Sequence, residues 1–260
     1  MERSEFWGIY PFLIQAFRVL EVIALLIFFS GSYKKLKIWA GGLAGDGELE
    51  GNPSVFGLAA LSLSSLFSSG CLLAKRSFRI STGRAIILIA IKWSFLVLLL
   101  GSISVFLNVK VFGSGLLTGD RFLFFKAVLN WAGIFFIIGV AYAIVRRFFS
   151  SMVPSSGYDY FLLFLLLTIA VSSFIMQGLR FTVAIWSDAA YSPLGLLFKH
   201  LFAGIRIGDA MTAYNVVWAL HALLALFFVA YIPYSKIFHI FAAQITTAAA
   251  ERREKTAGIA

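Results

Sequence analysis

The chain has 260 residues, of which 60% are apolar, 17% aromatic and only 13% charged, with a mean hydropathy of +0.91, whereas soluble domains carry about a quarter charged residues. That excludes a soluble globular domain and indicates an integral membrane protein, while a single cysteine, Cys71, excludes a disulfide framework and a cysteine-ligated iron–sulfur cluster. The 22 Lys and Arg against 12 Asp and Glu read as topology and attraction to anionic lipid headgroups, not as a nucleic-acid surface.

A helix crossing the hydrocarbon needs about 20 mostly apolar residues. Phe6 to Phe29 has that length despite Gln15, Arg18 and Glu21, and without a basic n-region or a small-residue cleavage site it is expected to stay in the mature protein. A Gly-rich acidic stretch, Gly41 to Pro53, follows. Val55 to Ala74 is rich in Leu and Phe but diluted by Ser62, Ser64, Ser65, Ser68 and Ser69. Four further spans are predicted at Ile86 to Leu107, Phe122 to Val145, Tyr160 to Leu179 and Ala213 to Ile232. Between the last two, the loop Trp186 to Asp209 contains a candidate short surface helix at Leu196 to Phe202.

Charge decides the doubtful segment. If Val55 to Ala74 stays on the side of its neighbours, that side carries Lys34, Lys35, Lys37, Lys75, Arg76, Arg79, Arg146, Arg147, Lys236, Arg252, Arg253 and Lys255, against Arg3, Lys110, Arg121, Lys199 and Arg206 on the other. The positive-inside rule then gives an all-α, five-span helical bundle in the cell membrane, N-terminus outside and C-terminus in the cytoplasm. Residues 1–260 read as one membrane domain, and 31–83 as a cytoplasmic loop with an interfacial helix. No extramembrane block is long enough for a core of its own, so any soluble chemistry is expected from another chain.

Ionisable groups inside a membrane are costly and mark function by default. His221 and His239 lie 18 residues apart in and just beyond the last span. On an unbroken helix that is five full turns, with both imidazoles on one face roughly 27 Å apart. Such a pair suits two haem irons stacked across a bilayer; hydrogen bonding within the bundle or at the headgroup boundary fits the same spacing. His200 reads as a solvated loop residue. Lys92 and Glu21 fall at similar depths in the second and first spans, with Arg18 on the face of Glu21. A buried Lys92–Glu21 ion pair with Arg18 nearby is expected, structural or serving as a proton or quinone path. Lys126 and Arg180, near outer helix ends, are expected to snorkel as anchors, Arg180 with a haem propionate as a second option.

The last span and its exit, HALLALFFVAYIPYSKIFHIF from His221, resemble the gamma subunit of respiratory nitrate reductase and its relatives, the membrane cytochromes of heterodisulfide reductase and of the sulfite-reductase-associated complex. The likeness extends to FWGIYPF at the start, KKLKIW after the first span, KWSFLVLLLGS in the second and MQGLR ending at Arg180. The resemblance implies five spans, b-type haem and an electron conduit between membrane quinone (menaquinone or another) and a cytoplasmic iron–sulfur partner related to heterodisulfide reductase. It departs from the family at one point. The second histidine of each haem is expected on the second span, yet no histidine precedes position 200; Leu88 and Leu98 stand at the corresponding levels. Five-coordinate haem held by His221 and His239, an unusual sixth ligand such as Lys92, or loss of one or both haems remain open. The function read from the chain is therefore membrane anchor and electron-transfer subunit of a quinone-linked oxidoreductase, against a haem-free structural anchor or small transporter of the same fold.

Overall fold

A computed structural model describes residues 7–45, 57, 82–110, 117–149, 156–184 and 186–238. The described residues are helical: α1 (Pro11–Gly45), α2 (Thr82–Lys110), α3 (Gly119–Phe149), α4 (Gly157–Val183), a 3-10 turn (Ser187–Tyr191), α5 (Pro193–Leu201), α6 (Ile207–Tyr231) and a second 3-10 turn (Ile232–Tyr234). Among the described residues, five stretches are long and apolar enough to cross a bilayer: Pro11–Trp39, Ala85–Asn108, Gly119–Phe149, Gly157–Val183 and Ile207–Tyr234. With the apolar composition, they make this a multi-pass membrane protein. Apart from Gly57, the segment Val55 to Ala74 expected at the membrane interface lies outside the described residues, as do His239 and the basic tail.

The helices run further than hydropathy alone indicates. α3 starts at Gly119 with Asp120 in its first turn, and α6 at Ile207 with Asp209 in its first turn; an acidic side chain there complements the positive end of the helix dipole. α1, by contrast, starts at Pro11 and not at Phe6. Proline suits a first helical position because its missing N–H has no intrahelical partner to lose. The expected short helix in the outer loop is α5, opened by Pro193.

Two compact units emerge, Met1–Phe17 with Ser81–Ala225, and Arg18–Ile80 with Leu226–Ala260. In the first, α2 packs on α3, α3 on α4 and α4 on α5. α3 is central, with 39% of its span window buried. Phe136, Val140 and Ile144, one turn apart, close a core with Ala170 of α4, against which Ile91, Phe95 and Leu98 of α2 pack. Lipid is as apolar as leucine, so close backbone approach matters more here than hydrophobic exclusion. Gly133 of α3 supplies it: a Cβ there would stand 2.8 Å from the Phe174 ring. Large apolar side chains outside these seams, such as Phe124, Ile138 and Leu223, are exposed, as a lipid-facing surface requires.

The leading segment is tied into the first unit by one side chain. Asn215 of α6, 1% exposed, accepts from the Tyr10 backbone N–H at 2.8 Å and donates to the Gly8 carbonyl at 2.9 Å and the Met211 carbonyl at 3.0 Å. Gly8, at φ +72°, takes a left-handed conformation that costs other residues. Ile9 is thereby seated with Leu179 and Tyr214. Asn215→Leu strands a buried N–H and carbonyl, so a loss of about 1–3 kcal/mol is expected. Hydrogen exchange checks it: the Tyr10 amide should lose its protection, and a still-protected amide would contradict the assignment.

In the second unit, α6 ends at Tyr231. Pro233 cannot donate a backbone hydrogen bond, and Ser235 turns the chain by bonding back to the Ile232 carbonyl through its N–H at 3.1 Å and its hydroxyl at 2.9 Å. Pro233 and Tyr234 pack close against Gly31 of α1, and the Trp39 and Phe238 rings meet at 5.3 Å.

Candidate functional site

His221 lies halfway along the Ile207–Tyr234 span, deeper than its sequence position near the outer end suggests, because α6 begins before the apolar run does. Its Nδ1 is 2.9 Å from the Ser172 hydroxyl of α4. Ser172, 6% exposed, donates to the Ile169 carbonyl at 2.9 Å. A neutral imidazole offers iron one lone pair, and a ring engaged through Nδ1 can offer Nε2. The donor chemistry of His221 is thus of the kind that would hold a haem iron, which would supply one-electron redox chemistry there. Bis-histidine ligation across to α2 does not fit: Leu98 packs against the Phe136–Val140–Ile144 core, and Leu88 is exposed. His239 follows the last described residue. The unbroken helix assumed between the two histidines in the five-turn, roughly 27 Å spacing is interrupted at the Ile232–Tyr234 turn.

Of the membrane charges, Lys92 is half-buried on α2 in the first unit; Arg18, exposed, and Glu21, half-buried, belong to α1 residues of the second. Between α2 and α3 an open apolar groove of about 470 Å³ is walled by Trp93, Val97, Phe124, Trp131 and Phe135, with Ser94 as its polar residue.

Lys126 and Arg180 do not snorkel to the headgroups. Both are buried and converge on a residue the sequence did not single out, Asp188 of the first 3-10 turn. Arg180 Nη2 donates to Asp188 Oδ2 at 2.7 Å, and Lys126 Nζ stands 3.3 Å from the same oxygen. Burial alone would raise the Asp188 pKa, but the Lys126 and Arg180 charges and their hydrogen bonds more than reverse this and hold the carboxyl below its ordinary range. The Arg180 guanidinium also sits 4.6 Å from the Trp186 ring centre, and Trp7 meets Trp186 edge-on at 4.9 Å, so aromatic rings shield the charges from water. Asp188 Oδ1 and Trp186 Nε1 are buried without a hydrogen-bond partner among the described residues.

A neutral network adjoins the triad. Asn130 donates to the Lys126 carbonyl at 2.9 Å, which aims its Oδ1 at the Ser192 hydroxyl, 2.7 Å away. The Gln177 amide is 2.6 Å from the same hydroxyl. Ser192 has one hydrogen, given to Asn130, so Gln177 must present its amide nitrogen as donor. Gly178 makes room for α5, since a Cβ there would collide with Phe198. Among the described residues no group of three or more His, Cys, Asp or Glu could hold a metal ion.

The model of the nitrate reductase gamma subunit family matches residues 85–250, more than half of the chain. Over 240 residues the chain is 25% identical to the EtfAB:quinone oxidoreductase of Syntrophomonas wolfei subsp. wolfei, covering 87% of this chain and 32% of that protein. It is 33% identical over 131 residues to a subunit of the dihydromethanophenazine:CoB--CoM heterodisulfide reductase of Methanosarcina barkeri, 48% of this chain and 41% of that one. The Methanosarcina thermophila counterpart is 33% identical over 116 residues, 42% and 35% of the two chains. The chain thus spans well under half the length of these curated relatives. No solved structure matches it significantly.

Proposed function

The chain belongs to the nitrate reductase gamma subunit family, and from that premise we propose that it is the membrane anchor and electron-transfer subunit of a quinone-linked oxidoreductase. In this reading electrons pass between membrane quinone, menaquinone or another, and a cytoplasmic iron–sulfur subunit related to heterodisulfide reductase. Relatives named as a quinone oxidoreductase and as a heterodisulfide reductase subunit support it. The observation that carries it is His221: an imidazole in mid-span bonded at Nδ1 to the Ser172 hydroxyl, so that Nε2 is the ring nitrogen proposed to bind iron.

A b-type haem, when bound, supplies reversible one-electron carriage. His221 and His239 are the residues proposed to hold it, with Lys92 as candidate sixth ligand. Arg180 has five N–H donors and spends part of them on Asp188, so it retains donors for a propionate. Lys92, Glu21 and Arg18 are proposed to hold and move protons toward the quinone. The groove beside Trp93 and Trp131 is apolar enough for an isoprenoid tail, with Ser94 as its polar residue. With the carboxyl terminus in the cytoplasm, the basic loop Lys34 to Lys37, the Val55 to Arg79 segment and the tail form the partner-docking side.

A pyridine haemochrome assay on the purified complex tests the reading. One or two b haems per subunit are expected; none, together with quinone-independent activity, establishes the haem-free anchor or transporter instead. Lys92→Met is expected to leave assembly intact and alter quinone turnover. Unchanged turnover removes Lys92 from the path.

A further inference from the structure

We propose that Ser172 is a positioning residue that selects the tautomer of His221, holding the hydrogen on Nδ1 so that Nε2 keeps its lone pair. Counting hydrogens leads there. Ser172 Oγ stands 2.9 Å from His221 Nδ1 and 2.9 Å from the Ile169 carbonyl. A carbonyl only accepts, so the single hydroxyl hydrogen goes to Ile169 and the hydroxyl oxygen is left as an acceptor facing the ring. With that acceptor facing it, Nδ1 carries the hydrogen, and a neutral imidazole has only one.

The alternative tautomer is disfavoured by the surroundings. It would oblige Ser172 to give up its bond to Ile169 in order to donate to a bare Nδ1. Ser172 is buried inside a membrane span, where water is scarce and cannot make up the loss. Its neighbour Ser173 bonds back to the Ala170 carbonyl at 2.7 Å in the same way, but the histidine's bond is to Ser172. Ser172 lies two turns before Arg180 on α4, about 12 Å deeper along the axis. The charged triad is too far to take over this orienting role.

Selection by Ser172 rests on the reading of His221 as an iron ligand for its use and on hydrogen bonds for its geometry, so the two can fail separately. The full chain labelled with ¹⁵N-histidine is reconstituted without haem in lipid nanodiscs, with His221→Leu identifying the signal. Wild type is expected to show protonated Nδ1 and bare Nε2. Ser172→Ala should lose that preference and Ser172→Thr, which keeps the hydroxyl, should retain it. A wild-type Nε2–H form, or an unchanged Ser172→Ala spectrum, overturns the proposal.

In the haem-containing complex, an accepting bond to Nδ1–H makes the ring a stronger donor to iron. Ser172→Ala should therefore raise the midpoint potential of the b-type signal, with Ser172→Thr at the wild-type value. If His221→Leu abolishes a haem signal whose potential Ser172→Ala leaves unmoved, Ser172 has no such role. If the tautomer result holds but no haem is found, the ligand reading fails and the selection by Ser172 survives.

Discussion

Replacing His221 by leucine is expected to abolish a b-type absorbance band in the dithionite-reduced spectrum, and replacing His239 to abolish one as well. Leucine has no lone pair, and the third histidine, His200, is an exposed residue of α5, so it is not placed to substitute as an imidazole donor. The change should not unfold the protein. Ser172 keeps its bond to the Ile169 carbonyl, so no buried hydroxyl is stranded, and an apolar side chain is at home in mid-span. Loss of colour with intact assembly is thus the expected outcome. An unaltered spectrum in both variants would defeat the ligand assignment.

The second large effect is at Asp188. Its carboxylate is the shared counter-charge of Lys126 and Arg180, which lie within about 6 Å of each other because both touch one oxygen. Asp188→Asn preserves the shape and leaves two buried like charges, an arrangement that costs about 3–5 kcal/mol. Lys126→Met is expected to be far milder, since the surviving Arg180–Asp188 pair is electrically balanced and retains its 2.7 Å bond. Unfolding in mixed micelles separates the two, and equal losses for both variants would refute the shared-counter-charge account. The sign with pH follows from the depressed carboxyl. Its contribution is fully present above the ordinary carboxylate range and drains away as the pH falls below that range through the folded-state value.

Much of the architecture is legible in the chain, because a span announces itself as some twenty apolar residues and each of the five has one. The helix ends are less so. Arg206 and Asp209 end the apolar signal near Ala213, yet they pair with each other on the surface at 2.8 Å and let α6 begin at Ile207. That shift moves His221 to mid-span. The ring spacing of His221 and His239 holds only for a straight helix, and Pro233 between them is the local reason for it to stop.

The charged triad is not legible for a different reason. Lys126, Arg180 and Asp188 come from α3, the end of α4 and a 3-10 turn, and nothing local relates them. Each basic residue sits near a helix end, where long side chains usually reach for water. A buried acid in the following loop reverses that expectation, and only tertiary structure reveals it. Ser172 is hidden in the same way: a helical serine 49 positions from its imidazole partner looks like any other.

Asn215 has a consequence for biogenesis. It meets the Tyr10 amide across 205 positions of chain, and at ribosomal speeds of about 5–20 residues per second that is a wait of about 10–40 seconds. Until α6 emerges and inserts, the Gly8 carbonyl and Tyr10 amide lack this side chain. The segment leading into α1 is therefore threaded well before it is locked, and a chaperone or insertase that shields the start of α1 would act during that interval.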